Sequence, residues 1–424
     1  MKVAIFTDTF LPQTNGVVTS ICNTIRELHR RKIDVIVFAP GKTTHMEYYD
    51  GARIYMFKSR PLKFYPDYLL VNLNELVIKV RTLLDMEAPD VYHLQDPFVM
   101  GFVGMYYAWR FKKPLIGTYH TMHEEYAGHL SKGKYKKLMQ YLFGKTSWSY
   151  MRTFFTRCGI TIAPGAQVAN ILGEHGIKNV KVVPNGIEFS RVRNNKTFDI
   201  RKKHHIPKDA KIILHLGRIS FEKKIEILLK AFKEINRGDV YLLIVGSGPS
   251  LKNYENLAKG LGIKNVIFAG YVDDNLISSY YRESDVFAMP SDTETFSIVT
   301  LEAMAAGKPV VGPDYLGTKD LIIDNYNGLK FNRGDYIDMA AKISLILYNP
   351  KLKSKLGQNA RTFSERFSIE KTTKQLINIY KTAKHKPFQI DDLLLFWPKI
   401  TFPNLDELKN GDLIRYLKRI KFQF

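Results

Sequence analysis

Two successive runs of alternating strand and helix patterns constrain the fold of this chain more than any other feature. In the first run, a buried-strand pattern at residues 3–7 leads through a glycine loop to a helix pattern at 17–29 and a second strand at 33–38. The second run begins with a strand at 211–216 and repeats the alternation. Strands that alternate with helices pair in parallel. We therefore predict an α/β protein with two doubly wound domains that leave a cleft between them.

Shifts in composition divide the chain into three parts. Residues 190–208 are mostly polar and charged, which predicts a linker between the domains. We place the first domain at 1–195 and the second at 205–365. We expect residues 366–424 to form C-terminal helices that return toward the first domain and end in a basic, aromatic tail. That tail either touches a membrane or docks against the first domain.

Several features of the sequence bear on where the protein works. No apolar run approaches the length of a membrane span, and the chain enters its first strand without a signal-peptide pattern. Its two cysteines, Cys22 and Cys158, favour a reducing compartment over a disulfide framework. Neither cysteine has companions at the spacing of zinc ligands. These features predict a cytoplasmic protein.

The chain is strongly basic, with 63 Lys and Arg against 41 Asp and Glu and a formal net charge of +22. Such a charge attracts nucleic acid or an anionic membrane surface. Residues 126–173 hold no acidic side chain and interleave basic with aromatic residues, which is typical of an interfacial membrane helix. The residues predicted to bind the membrane are Lys132, Lys134, Lys136, Lys137, Trp148 and Arg152.

Two alternatives remain open for this basic, aromatic window. Its helix could pack its apolar face into the core and leave its lysines in solvent. Basic and aromatic side chains also suit nucleic acid, but the chain contains no recognition motif for it. Nucleic-acid binding is therefore kept only as a remote alternative.

Two glutamates mark a candidate site in the second run. Glu294 lies at a strand-to-helix turn, and Glu302 lies about two turns into the following helix. In an open α/β sheet such a turn is where ligands bind, and a carboxylate offers several acceptors to the hydroxyls of a sugar. Taken alone, the pair is more simply explained as a turn acid and an acid on a helix surface.

The first run contributes two further candidates. Gly16 opens a helix, where an anion could approach backbone N–H groups, although a plain turn explains it equally well. His120 ends a strand and points into the ligand crevice, or it has a structural role. The G-x-G-x-x-G pattern of a classical dinucleotide site is absent from this loop.

Taken together, the motifs resemble those of a known family, the retaining glycosyltransferases of family 4. That family has the GT-B architecture, in which two Rossmann-like domains face each other across a cleft. The resemblance extends through about residue 380, and the first-run segments PQTNGVVTS and TYHTMHEEY look most like those of bacterial diacylglycerol glucosyltransferases. The second-run motifs that carry the resemblance are Gly217-Arg218, Lys223, Gly246-Ser-Gly248, and Glu294 with Glu302.

The resemblance implies a nucleotide-sugar site made mainly by the second domain. Arg218 and Lys223 match the diphosphate-binding pair, which would stabilise the charge that develops on the leaving phosphate. Glu302 matches the residue that holds the ribose hydroxyls, Glu294 the catalytic-site residue that contacts the donor sugar, and His120 a histidine near the reacting carbon. The other donor-site residues that the resemblance implies are Gly16, Gly217, Gly246, Gly248, Ile298 and Thr300.

By this resemblance the chain is a retaining hexosyltransferase that moves glucose from UDP-glucose to diacylglycerol. It would be a peripheral protein on the inner face of the cell membrane, with the lipid acceptor on the first domain. The family has no obligatory metal site, so we expect no essential metal and no other cofactor. The alternative is the same enzyme class acting on a soluble saccharide, a polyprenyl-linked glycan or a protein.

Overall fold

The structure, a computed structural model, describes residues 1–13, 15–62, 65–71, 73–122, 147–193 and 198–388. These residues form two separate β-sheets, each flanked by helices. The prediction of a two-domain α/β protein is therefore confirmed.

The first sheet has nine strands in the described part of the chain. They are β1 (Lys2–Phe6), β2 (Asp34–Gly41), β3 (His45–Tyr49), β4 (Ala52–Leu62), β5 (Tyr65–Val71), β6 (Val91–Leu94), β7 (Leu115–Thr118), β8 (Ile160–Ala163) and β9 (Val180–Val182). The parallel part has the order β4-β2-β1-β6-β7-β8-β9, and β3 and β5 pair antiparallel with β4. The helices are α1 (Gly16–Arg30), α2 (Leu73–Glu87), α3 (Val99–Arg110) and α4 (Ala166–Glu174), with a further helical segment at 147–155.

In the described ranges the second sheet has six parallel strands, in the order β12-β11-β10-β13-β14-β15. They are β10 (Lys211–Leu216), β11 (Val240–Val245), β12 (Val266–Gly270), β13 (Val286–Ala288), β14 (Val310–Pro313) and β15 (Gly328–Phe331). The helices associated with it are α5 (Phe189–Arg193), α6 (Ile200–Lys203), α7 (Ile225–Ile235), α8 (Leu251–Gly260), α9 (Asp274–Glu283), α10 (Ile298–Ala305), α11 (Leu316–Leu321), α12 (Tyr336–Leu347) and α13 (Pro350–Ser364).

The strand order of each sheet reverses at one point, between β1 and β6 in the first and between β10 and β13 in the second. At such a point the loops that leave neighbouring strands go to opposite faces and open a crevice for ligands. The loop after β1 leads to Gly16, the loop after β10 begins with Gly217, and the loop after β13 carries Glu294. The topology therefore places all three at crevice mouths.

Burial explains the apolar sequence patterns from which the strands and helices were predicted. Five of the six residues of β10 are buried, because helices cover both faces of a parallel sheet. Helix α1 buries Val18, Ile21, Ile25 and Leu28, which recur at the spacing of one helix face. Its start is fixed by Asn15, whose side chain accepts a hydrogen bond from the backbone N–H of Val18.

The stretch predicted as a linker folds onto the second domain. Helices α5 and α6 contact α9, and Val192, Ile200 and Ile206 are buried in the second domain's core. The linker predicted over 190–208 is therefore folded in its described part. The apolar side chains of this stretch are few and widely spaced among charges: the three named above are buried, and Phe198 is partly buried.

Within the described residues the chain crosses between the domains twice, and the two crossings pair with each other. The N–H of Ile187 donates to the carbonyl of Phe367, and the N–H of Ile369 donates to the carbonyl of Ile187, both at 3.0 Å. After the second crossing, α14 (Ile369–Thr382) packs against α1 and buries Tyr380 in the first domain's core. The last described helix therefore completes the first domain.

Candidate active site

The two crevices meet at a hydrogen bond between the domains. The hydroxyl of Thr295 donates to the backbone carbonyl of His120 at 2.6 Å. Thr295 follows Glu294 in the loop after β13, and His120 follows strand β7. This contact brings the predicted sugar-binding glutamate and the predicted catalytic histidine into one site.

His120 is held by a residue that the sequence analysis missed. Its Nε2 lies 2.7 Å from Oε1 of Gln95, which is buried just after β6. Burial lowers the pKa of His120 to about 4, so the ring is neutral near pH 7. A neutral imidazole can exchange a hydrogen bond with a sugar without bringing a charge. The only sequence signal for Gln95 was its position at the end of a predicted strand.

Lys223 and Glu294 form an ion pair, with Nζ 2.6 Å from Oε1. Lys223 ends a 3-10 turn, Phe221–Lys223, in the segment that follows β10. The next residue, Lys224, has a φ of 50°, which redirects the chain into α7. The structure therefore joins two residues that the resemblance assigned to the phosphate and to the sugar, and each compensates the charge of the other.

Arg218 lies at the same edge of the sheet and is half-buried. It follows Gly217 directly after β10. A Cβ added to Gly217, or to Gly16 at the start of α1, would meet no atom within 4 Å. Both glycines therefore border open space, where the phosphates of a ligand could approach the backbone.

Gly246 and Gly248 act on the site indirectly. A Cβ on Gly246 would lie 1.9 Å from the carbonyl oxygen of Gly217, and one on Gly248 would lie 2.3 Å from that of Ile219. Gly246 also has a φ of +135°, a conformation that side chains disfavour. These two glycines thus let the loops after β10 and β11 touch through bare backbone, which places Arg218.

The start of α10 explains Ile298 and Thr300. Ser297 caps the helix, and its Oγ lies 2.8 Å from Oγ1 of Thr300. Thr300 is completely buried, and Ile298 is 7% exposed. The hydroxyl of Thr300 belongs to the helix cap, and its assignment to the nucleotide site stays a prediction. Ile298 lies at the first turn of the helix, beside the crevice.

Glu302 is 2% exposed, and both of its carboxylate oxygens have partners. Oε1 accepts from Nη1 of Arg191, and Oε2 accepts from the hydroxyl of Tyr281 at 3.0 Å. Burial raises the pKa of Glu302, and the two donors oppose that rise. Arg191 lies in the stretch predicted as a linker, so its role was missed.

A second contact joins the domains beside the site. Oδ2 of Asp320 accepts from the N–H of Gln167 at 3.0 Å, in the first turn of α4. Asp320 lies on α11, which begins at Leu316. The Leu316 side chain is 3% exposed and belongs to the first domain's core, although its φ of 43° is unusual for leucine. The packing of its side chain offsets that backbone strain.

The predicted membrane residues divide into two groups. Lys132, Lys134, Lys136 and Lys137, like the tail from residue 389 onward, lie outside the described residues. No helix within the described ranges is long and apolar enough to cross a membrane.

Trp148 and Arg152 share the helical segment at 147–155. The ring of Trp148 is half-buried and stacks on His175 with centroids 3.6 Å apart, and Met151 and Phe155 are buried. The burial of Met151 and Phe155 fits the alternative in which this segment packs into the core, and membrane binding by the partly buried Trp148 stays a prediction. Arg152 is exposed.

Two Rossmann-like domains whose crevices meet form the architecture of the GT-B glycosyltransferases. The family model described as Glycosyltransferase Family 4 matches residues 14–191, and the one described as Glycosyl transferases group 1 matches residues 196–363. These two matches span most of the chain, which therefore belongs to the family 4 glycosyltransferases.

Relatives and solved structures agree with this assignment. An alpha-monoglucosyldiacylglycerol synthase of Streptococcus pneumoniae is 29% identical over 90% of this chain and 86% of its own length. A GDP-mannose-dependent alpha-mannosyltransferase of Corynebacterium glutamicum is 29% identical over 79% of this chain and 78% of its own. The structure of Anabaena HepE in complex with UDP-glucose has a TM-score of 0.71 at 20% identity and covers 90% of this chain and 100% of that one.

Proposed function

We propose that this glycosyltransferase moves glucose from UDP-glucose to diacylglycerol at an anionic membrane surface and retains the anomeric configuration. The observation that carries the proposal is the similarity to an alpha-monoglucosyldiacylglycerol synthase along nine-tenths of the chain. UDP-glucose is an α-linked donor, so an α-linked product corresponds to retention.

The geometry suggests how the donor is held. Lys223 and Glu294 would exchange their mutual ion pair for contacts with the diphosphate and with the sugar hydroxyls. Each partner then keeps a charged or hydrogen-bonding group opposite it, so neither charge is left uncompensated. Arg218 and the start of α1 at Gly16 would add further positive charge beside the same diphosphate.

The proposed chemistry relies on positioning and on stabilising the leaving group. The departing phosphate oxygen would take the proton of the acceptor hydroxyl on the same face of the sugar, so no protein base is assigned. His120, neutral near pH 7, would orient a sugar hydroxyl near the reacting carbon.

We also propose that no metal is essential, because basic side chains take the place of a cation at the phosphates. Turnover should therefore be unchanged in the presence of a chelator such as EDTA. A loss of turnover that added Mg²⁺ restores would contradict this part of the proposal.

The membrane part of the proposal depends on charge. The net charge of +22 and the acid-free window favour an anionic surface, at about 1 kcal/mol for each basic side chain near it. A lipid acceptor that stays in the bilayer would then meet the first domain at that surface.

A product assay tests the proposal most directly. Diacylglycerol in anionic vesicles is offered with UDP-glucose, UDP-galactose or GDP-mannose, and the lipid product is identified together with its anomeric configuration. We expect an α-glucosyl lipid from UDP-glucose. The second candidate, favoured by the similarity to GDP-mannose-dependent enzymes, is mannosyl transfer, and product from GDP-mannose alone would establish it instead.

A further inference from the structure

The ion pair between Arg191 and Glu302 lies at the edge of the sheet where ligands bind. Glu302 is in the second turn of α10, and Arg191 also reaches Asp274 at the first residue of α9, with Nη2 3.0 Å from Oδ1. Both helices begin at the carboxyl ends of strands, β12 and β13. The side chain of Glu302 is 3% exposed, that of Arg191 25% and that of Asp274 73%, so the group opens to solvent on the Asp274 side.

We infer that Arg191 is a positioning residue of the ribose subsite: it fixes the Glu302 carboxylate as the acceptor for the ribose hydroxyls of the donor nucleotide. The inference rests on the proposed function, which gives Glu302 to the ribose.

The bonding capacity of the pair supports this role. A carboxylate can accept about four hydrogen bonds, and Arg191 and Tyr281 supply two, which leaves acceptors for two hydroxyls. A ribose hydroxyl that donates to Glu302 still has lone pairs of its own. Nε of Arg191 is a buried donor that has no partner among the described residues. The Glu302 carboxylate therefore keeps acceptors for a hydroxyl group after both protein donors are bound.

Removing the Arg191 side chain should change the charge or position of the Glu302 carboxylate more than that of any other group. Glu302 would remain buried without a counter-charge, which favours its protonation or its rotation away from the crevice. Either change removes the acceptor that a ribose hydroxyl needs and leaves the rest of the donor site in place.

Arg193 provides a matched control on the same short helix. Its Nη2 lies 2.7 Å from Oε1 of Glu365, its Nε donates to the carbonyl of Ala305 on α10, and its side chain is 23% exposed. Loss of Arg193 thus removes a similarly buried, ion-paired arginine that also bonds to α10 but does not touch Glu302.

The experiment compares the binding of a nucleoside diphosphate with that of its 2′-deoxy and 3′-deoxy forms, by calorimetry. The probe is whichever of UDP and GDP binds the wild type more tightly. We expect the wild type to prefer the ribonucleotide by about tenfold or more. Glu302→Gln and Arg191→Met should both reduce this preference toward unity, and Arg193→Met should keep it. Arg191→Lys keeps the charge but not the planar fork, and should give an intermediate value.

The outcomes separate the inference from the proposed function. If Glu302→Gln loses the preference and Arg191→Met keeps it, the inference is wrong and the proposed role of Glu302 stands. If Glu302→Gln keeps the wild-type preference, the assignment of Glu302 fails and the inference fails with it. Tighter binding by Arg191→Met would show that Arg191 blocks the subsite. If Arg191→Met does not fold, a wild-type preference in Arg191→Lys overturns the inference.

Discussion

Acids and bases are paired residue by residue across the candidate site. Glu294 lies against Lys223 and Glu302 against Arg191, and the buried Asp292 is held by Lys224 and Arg333. Removing one partner of such a pair leaves the other charge buried and uncompensated. The resulting loss of stability is larger than the stability that the intact pair contributes. Substitutions here should therefore be judged by stability and by activity together.

Lys223→Met should reduce turnover at low donor concentration by about 100-fold or more, because the leaving diphosphate loses a fixed positive charge. The measurement is the initial rate of product formation with sub-saturating donor. Lys252→Met, on the second domain with a side chain that is 77% exposed, is the matched control and should behave as wild type. An unchanged rate in Lys223→Met would contradict the donor site described above.

Buried histidines should make the protein less stable in acid. Burial lowers the pKa of His215 to about 4, whereas the unfolded chain has the ordinary value near 6.5. The unfolded state binds more protons between these values, so this stabilisation is complete above about pH 6.5 and is lost as the pH falls toward 4. Over that window each such histidine contributes a slope of about 1.4 kcal/mol per pH unit.

His215→Leu should therefore make the free energy of unfolding less dependent on pH. The slope should fall by the amount that one buried histidine contributes. The ring is 1% exposed and its Nε2 has no partner in the described structure, so leucine keeps the site apolar at the cost of one hydrogen bond, from Nδ1 to the carbonyl of Ala288 at 3.0 Å. Urea unfolding at pH 5 and pH 7 measures the difference. A slope equal to that of wild type would show that His215 is not buried in its neutral form.

Helix α4 is an element completed by a residue from the other domain. Its N-cap, Gly165, has no side chain to offer, and Asp320 on α11 supplies the carboxylate instead. Gly165 also leaves the space for it, since an added Cβ would lie 2.3 Å from Asp320 Oδ2. A helix cap thus doubles as a contact between domains.

Asp320→Ala should cost about 1 kcal/mol of stability through the lost cap. It should also lower turnover more than it weakens nucleotide binding, because it loosens the docking of the domains and leaves the donor contacts intact. Urea unfolding, product formation and UDP calorimetry measure the three effects. Lys319→Ala, the exposed neighbour, is the control. If the two variants lose equal amounts of stability and turnover, the Asp320 cap has no special role.

Some helices, strands and site residues could be predicted from the sequence, and others could not. The strand alternation, the helix after Glu294 and the position of Lys223 were predictable because side-chain period, turn glycines and motif spacing are local signals. Gln95, Arg191 and Leu316 were not, since each acts through a partner distant in sequence. Leu316 even occupies a left-handed conformation that favours glycine, which only its packing in the other domain explains.

For the molecule as a whole, the net charge of +22 is large, but the membrane hypothesis depends on where that charge lies. The basic, aromatic window belongs to the first domain. Membrane recruitment should therefore depend on the first domain's lysines rather than on the total charge.

Replacing Lys132, Lys134, Lys136 and Lys137 by Gln should weaken binding to anionic vesicles strongly and leave UDP binding unchanged. A second variant carries the same change in charge on exposed second-domain lysines: Lys230, Lys252, Lys259 and Lys264. It should bind vesicles nearly as well as wild type. Vesicle flotation at two salt concentrations measures both variants, and equal weakening would show that only the total charge matters.

Ile187 pairs with Phe367 and Ile369 where the chain crosses between the domains. Because the two described crossings are hydrogen-bonded to each other here, we expect them to move together as one axis of rotation. A rotation of the domains about this axis would keep both backbone hydrogen bonds. The contacts away from the axis, Thr295 to His120 and Asp320 to Gln167, would separate during such a swing. Opening and closing of the cleft would then assemble or divide the site while the axis itself stays intact.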